Sequence, residues 1–101
     1  MTTIKVVLPY HLRNLARVTE NEIEIEVEEP VTICSALDGI ERKFPMLCGT
    51  IRDHVTQKRR DFLRYFACGR DLSLQPATTP LPEQVVQGIE PFIVLGSIAG
   101  G

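Results

Sequence analysis

The chain has no apolar run that could cross a bilayer: nothing in its 101 residues approaches the roughly 20 consecutive apolar residues that a membrane helix needs. The N-terminus, Met1-Thr2-Thr3-Ile4-Lys5, lacks the long apolar stretch of a signal peptide. Excess positive charge is also missing. The formal net charge is −2, so no global field exists to release counterions from phosphates, which speaks against general nucleic-acid binding. Cysteine is scarce. Cys34, Cys48 and Cys68 are odd in number and widely spaced, which indicates neither a disulfide framework nor a zinc site and fits a reducing cytosol. His11 and His54 have no neighbours at metal-ligand spacing, so no metal is expected. No serine–histidine–aspartate arrangement stands out, no carboxylate pair is nominated by spacing, and Gly69 has no phosphate-loop context. These absences point to a cytoplasmic domain without an active site of its own.

What is present is an ordinary globular composition, 44% apolar and 24% charged, at a length that suits one domain. Ile4 to Leu8 reads as a strand ended by Pro9, and His11 to Asn21 as a polar turn. Glu22-Ile23-Glu24-Ile25-Glu26-Val27 alternates strictly, the period of a half-buried strand with Ile23, Ile25 and Val27 inward. The outward glutamates suit an edge strand. Thr32 is a good helix N-cap. Ile33, Leu37, Ile40 and Phe44 then recur at steps of four, three and four, so one helical face is apolar up to the stop at Pro45. Leu47, Ile51 and Val55 carry a weaker helical spacing. Lys58 to Asp61 is a charged connector, and Phe62 to Cys68 reads as a third strand. Residues 75–91, with four prolines, read as a surface loop holding one helical turn near Glu83–Val86, and Phe92 to Leu95 as the last strand.

This order predicts an α+β fold in which a right-handed crossover lays the last strand beside the first. Residues 1–95 form the domain, and Gly96-Ser97-Ile98-Ala99-Gly100-Gly101 form a flexible tail. Gly101 bears a carboxylate on a carbon without a side chain, and glycine lets another backbone approach closely. Such an end can thread a narrow channel and present its carboxylate to a nucleotide. Six extended residues reach at most roughly 20 Å. Ser97 and Ala99 are small enough for a channel, and Ile98 is the bulky anchor. The same two glycines also fit a frayed end or an expression scar.

The order of elements, the turn Phe66-Ala67-Cys68-Gly69-Arg70-Asp71-Leu72, the helix from Val31 to Pro45 and the ending Ala99-Gly100-Gly101 together resemble the ubiquitin-like MoaD/ThiS sulfur-carrier family. The resemblance covers nearly the whole chain and implies a β-grasp fold, a mixed sheet packed on one long helix. It implies that an adenylating enzyme of the ubiquitin-activating type, using Mg-ATP, activates the carboxylate of Gly101, and that a sulfur donor converts it to a thiocarboxylate. Splitting acyl transfer in this way turns one difficult step into two easier ones. The cargo then passes to a sulfur-accepting synthase: the large subunit of molybdopterin synthase, with this chain as its small subunit, or a thiazole synthase in thiamine formation. Cysteine synthesis and tRNA thiolation are further destinations. The carrier itself holds no cofactor. The chain departs from the family at Ala67-Cys68-Gly69-Arg70, where Val-Asn-Gly and an acidic residue are usual, and at Gly96, where many members have proline. The resemblance therefore implies a chemistry before it implies a pathway. A ubiquitin-like binding or conjugation module is the contrasting expectation.

Strand parity supplies a recognition surface. With Ile4, Val6, Leu8, Leu63, Tyr65, Ala67, Phe92 and Val94 inward, Val7, Phe66, Ile93 and Leu95 face outward as one apolar patch of the kind that marks partner sites. A covering by residues 75–91 is the alternative. Cys34 beside the helix stripe reads as a core thiol. Arg52, Lys58, Arg59, Arg60 and Arg64 read as a solvated basic face able to steer an acidic partner.

Overall fold

A computed structural model describes residues 1–96. The elements run β1 (Thr2–Val7), α1 (Tyr10–Leu15), β2 (Glu22–Val27), α2 (Ile33–Lys43), a 3-10 turn (Pro45–Leu47), β3 (Leu63–Ala67), β4 (Arg70–Asp71), α3 (Glu83–Val86) and β5 (Phe92–Gly96). They form a five-stranded sheet in the order β2-β1-β5-β3-β4. The last strand lies parallel to the first, with Val6 opposite Phe92, and the other pairings are antiparallel. This is the mixed sheet of a β-grasp fold, with α2 against one face.

The alternating glutamates place β2 at the edge as expected: Ile25 and Val27 are buried while Glu22, Glu24 and Glu26 are exposed. α2 begins where Thr32 Oγ1 accepts from the Ser35 amide at 3.1 Å and Ser35 Oγ accepts from the Thr32 amide at 2.8 Å, a reciprocal cap that satisfies two otherwise orphaned donors. Its buried stripe is Ile33, Ala36, Leu37 and Ile40. Gly39 completes that face, because a Cβ there would lie 2.7 Å from the Glu26 carbonyl oxygen and 2.8 Å from Ile25 Cγ2. The helix therefore reaches the edge strand through bare backbone, and Lys43 Nζ donates to the Glu24 carbonyl at 2.9 Å further along.

The structure corrects the sequence reading in six places. Residues 10–15 are helical, not a turn, because Leu12 and Ala16 continue from Leu8 in steps of four and bury one face of α1. The spacing of Leu47, Ile51 and Val55 makes no second long helix: only Pro45–Leu47 turns, the chain bends at Gly49 (φ +86°), and Leu47 and Ile51 reach the core while Val55 stays exposed. β3 is followed by a two-residue turn in which Cys68 (φ +52°) and Gly69 (φ +76°) both have positive φ, the geometry that returns the chain as a hairpin into β4. The last strand extends one residue past Leu95, since Gly96 pairs with Leu63. Arg52 is not on a solvated face. It is 3% exposed, held by both oxygens of Glu41 at 3.0 and 3.1 Å and by Asp38. Burial works against its charge, but the two carboxylates outweigh this and raise its pKa. Cys34 is half-buried beside this cluster, its sulfur 3.8 Å from an Arg52 nitrogen, so it is a wall residue and not a core thiol.

The core lies between α2 and the inner face of the sheet. Phe92, Val6, Ile4, Val94 and Ala67 are fully buried, and the Tyr65 and Phe92 rings meet at 5.7 Å with a tilt of 42°.

Candidate functional site

Antiparallel and parallel registers together decide which outward side chains become neighbours. Val7 pairs with Ile93, and Ile93 pairs with Phe66. Three of the four residues assigned to the patch therefore stand in one row across three strands. The row ends in acids on both sides, at Glu22 opposite Val7 and at Asp71 opposite Phe66. Val7, Ile93 and Phe66 are half-buried, as neighbours in a row shield one another. Leu95 stands one period further along β5, opposite Arg64, and is 45% exposed.

Charges frame this strip. Lys5 lies 3.9 Å from Glu22, and Arg64 lies 3.5 Å from Asp71. Hydrogen bonds from Ser73 hold the Asp71 carboxyl below the usual carboxylate range, with Arg64 adding to the effect. An apolar centre with a charged rim is the anatomy of a docking surface. Residues 75–91 do not lie across it. Their backbone serves the start of α2, where Ile33 donates to the Thr79 carbonyl and Cys34 to that of Ala77, while Leu81 donates to Val31. Leu81 and Val85 are buried in the core.

The strip leads to the point where β5 ends. Gly96 is the last described residue. A Cβ at Gly96 would lie 2.6 Å from His11 Cε1 and 3.3 Å from Pro9 Cβ, so α1 and the bend before it close over the strand's end. Sequence reading did not connect these residues, because the helix that carries His11 was not seen. Phe62, exposed and adjacent to the residue paired with Gly96, also belongs to this end of the sheet. The remaining site residues of the sequence reading, Ile98, Ala99, Gly100 and Gly101, lie outside the described residues.

Elsewhere, Cys48 Sγ lies 3.2 Å from His54 Nδ1, and both side chains are exposed. Among the described residues, no group of three or more His, Cys, Asp or Glu is placed to hold a metal ion, and no helix is long and apolar enough to cross a membrane. The basic residues divide. Arg60 lies 3.7 Å from Asp53 and Arg64 pairs with Asp71, while Arg52 is internal.

Neither a protein-family model nor a curated protein matches the sequence. Solved structures do resemble the fold. The crystal structure of SAMP1 from Haloferax volcanii superposes with a TM-score of 0.74 at 15% identity, covering 98% of this chain and 99% of that one. The CysO-containing crystal structure of the Amycolatopsis orientalis BexX/CysO complex gives 0.71 at 16% identity, over 96% and 98%. The small archaeal modifier protein 1 of Methanosarcina acetivorans gives 0.70 at 19% identity, over 100% and 98%. The chain thus shares, over nearly its whole length, the β-grasp fold of these small ubiquitin-like proteins.

Proposed function

We propose that this chain is a protein sulfur carrier and not an enzyme. The carboxylate of Gly101 is adenylated by a partner of the ubiquitin-activating type with Mg-ATP, converted to a thiocarboxylate, and emptied by a sulfur-accepting synthase. Molybdopterin synthesis is the proposed destination, with thiamine, cysteine and tRNA thiolation as the competing ones. The observation that carries the reading is the continuity of the apolar strip with the root of the tail: Leu95, the exposed member of the strip, immediately precedes Gly96. A partner docked on Val7, Ile93 and Phe66 would stand beside the point from which residues 97–101 depart. The fold shared with CysO, a member of a two-protein complex with BexX, supports the same reading.

In this scheme Gly101→Ala folds normally but lowers ATP–pyrophosphate exchange with the host's activating enzyme by about tenfold or more, because a methyl group displaces the carboxylate from its in-line position. Near-normal exchange would count against the scheme. Intact-mass analysis of protein from its host adds a second check. Replacing oxygen by sulfur adds about 16 Da, as does thiol or methionine oxidation, so the gain must map to the C-terminal peptide.

The name of the Haloferax volcanii and Methanosarcina acetivorans neighbours, small archaeal modifier protein 1, favours a second reading in which the tail is joined to lysine side chains. An isopeptide remnant of the tail on lysine would select it.

A further inference from the structure

A cavity of about 510 Å3 opens on the side of the molecule away from the apolar strip, between the first turns of α2, the loop after the 3-10 turn, β3 and the segment that follows β4. Ile33 and Leu37 give it an apolar wall, and Tyr65, Arg52, Arg59 and Lys58 give it polar ones. Tyr65 is 4% exposed, and its hydroxyl has no hydrogen-bond partner among the described residues. A buried polar group without a partner is rare enough to require an explanation. Burial pushes this hydroxyl up to about 12, so it is a proton donor throughout the neutral range.

The charge around it is not balanced. Arg52 is outnumbered by Asp38 and Glu41, which leaves that trio with one negative charge in excess, so of the two further cations Arg59 offsets it and Lys58 supplies the one net positive charge. Arg59 has no carboxylate partner among the described residues. Its guanidinium donates instead to the carbonyls of Ser73 at 3.0 Å, Leu63 at 2.7 Å and Arg60 at 3.1 Å. It therefore contributes field but few free donors. Lys58 is exposed at the cavity's margin and makes no ion pair among the described residues. The backbone donors nearby are occupied: the amides of Ile33 and Cys34 bond to carbonyls of the 77–79 segment, and that of Ser35 to Thr32. A phosphate group, which is best held by many N–H donors, would find few here. One carboxylate would find what is present: a phenolic donor, a mobile ammonium and the field of a fixed guanidinium.

We infer that this cavity binds a small organic carboxylate with an apolar body. The body lies along Ile33 and Leu37, and the carboxylate accepts from the Tyr65 hydroxyl and the Lys58 ammonium. The site has the size and mixed lining of small-molecule pockets in general. Neither Leu95 nor Gly96 lines it, so a bound ligand would accompany the carrier without blocking its end.

The test is a titration of the full, isotopically labelled chain with cinnamate, followed by amide chemical shifts, with cinnamyl alcohol and inorganic phosphate run in parallel. Cinnamate should shift the amides of Cys34, Lys58 and Tyr65 saturably, with a Kd at or below about 1 mM. Tyr65→Phe and Lys58→Gln should each weaken binding about five- to tenfold. Tyr65→Phe should unfold at a urea midpoint no lower than the parent, because it deletes a group that the free protein leaves unpaired. Failure to saturate would overturn the inference. So would equal binding of cinnamyl alcohol (an apolar slot only) or of phosphate (an anion site only). Unchanged affinity in both variants would do the same, leaving a hydroxyl served by trapped water.

Discussion

The two faces of one sheet are made by the same strands, the same register and alternate residues, yet they have opposite fates. On the inner face Val6, Phe92 and Ala67 form a row that is wholly buried in the core. One residue along, Val7, Ile93 and Phe66 form a row of similar apolar character that no helix covers among the described residues. Nothing about folding requires three apolar side chains on the bare side, since polar residues stand there on β2 and at Lys5 and Arg64. The inner row is explained by stability. The outer row has no such explanation, which is why we propose it as the surface a partner visits.

Substitutions can break this contrast. Phe92→Ala, at the centre of the inner row, should destabilise the fold by about 3–5 kcal/mol, a large part of a small domain's stability, read as a lowered urea midpoint. A loss below about 1 kcal/mol would mean that the inner face is not the core. Gly39→Ala should cost about 1–3 kcal/mol in the same assay, because the new methyl group meets the Glu26 carbonyl and overpacks the helix against β2. A stabilised alanine form would show that helix and edge strand can separate freely. Leu95→Ser, on the outer face, should stay within about 0.5 kcal/mol of the parent in stability. It should nevertheless weaken binding to the adenylating enzyme about tenfold, as measured by titration calorimetry. Equal losses in stability and binding would erase the distinction between the faces. The smallest effect belongs to the rim. Asp71 has its folded pKa depressed by Ser73, so its contribution is complete above the unfolded carboxylate value of about 3.9 and fades as pH falls through the lower folded value. The stability gap between the parent and Asp71→Asn should therefore be constant near neutrality and close only in acid. A gap that widens in acid would reverse that sign.

Legibility in the sequence followed the distance over which each feature is encoded. The alternation of residues 22–27 and the spacing Ile33, Leu37, Ile40 carry their structure locally, and both elements sit where expected. Strand parity is also local, which makes the outward direction of Val7, Phe66, Ile93 and Leu95 readable before any register is known. The row that joins Val7, Ile93 and Phe66 needs three strands from distant parts of the chain. α1 was missed because its buried positions, Leu12 and Ala16, are diluted by Arg13, Asn14 and Arg17. Leu47, Ile51 and Val55 misled because two of the three are indeed buried, though by an irregular path. Arg52 could not be recognised as internal, since its partners lie 11 and 14 positions away. The cavity is likewise a meeting of four separate segments, and nothing in any one of them announces a ligand.

A strand with open carbonyls is a template on which another chain can grow, and β2 is the long border strand here. Lys43 occupies the carbonyl of Glu24, and the helix backbone at Gly39 crowds that of Glu26. The opposite border, β4, is only two residues long. Ribbon-like stacking of copies is thereby frustrated at both margins, so crowding this protein to high concentration should leave it as separate molecules that remain free to meet others.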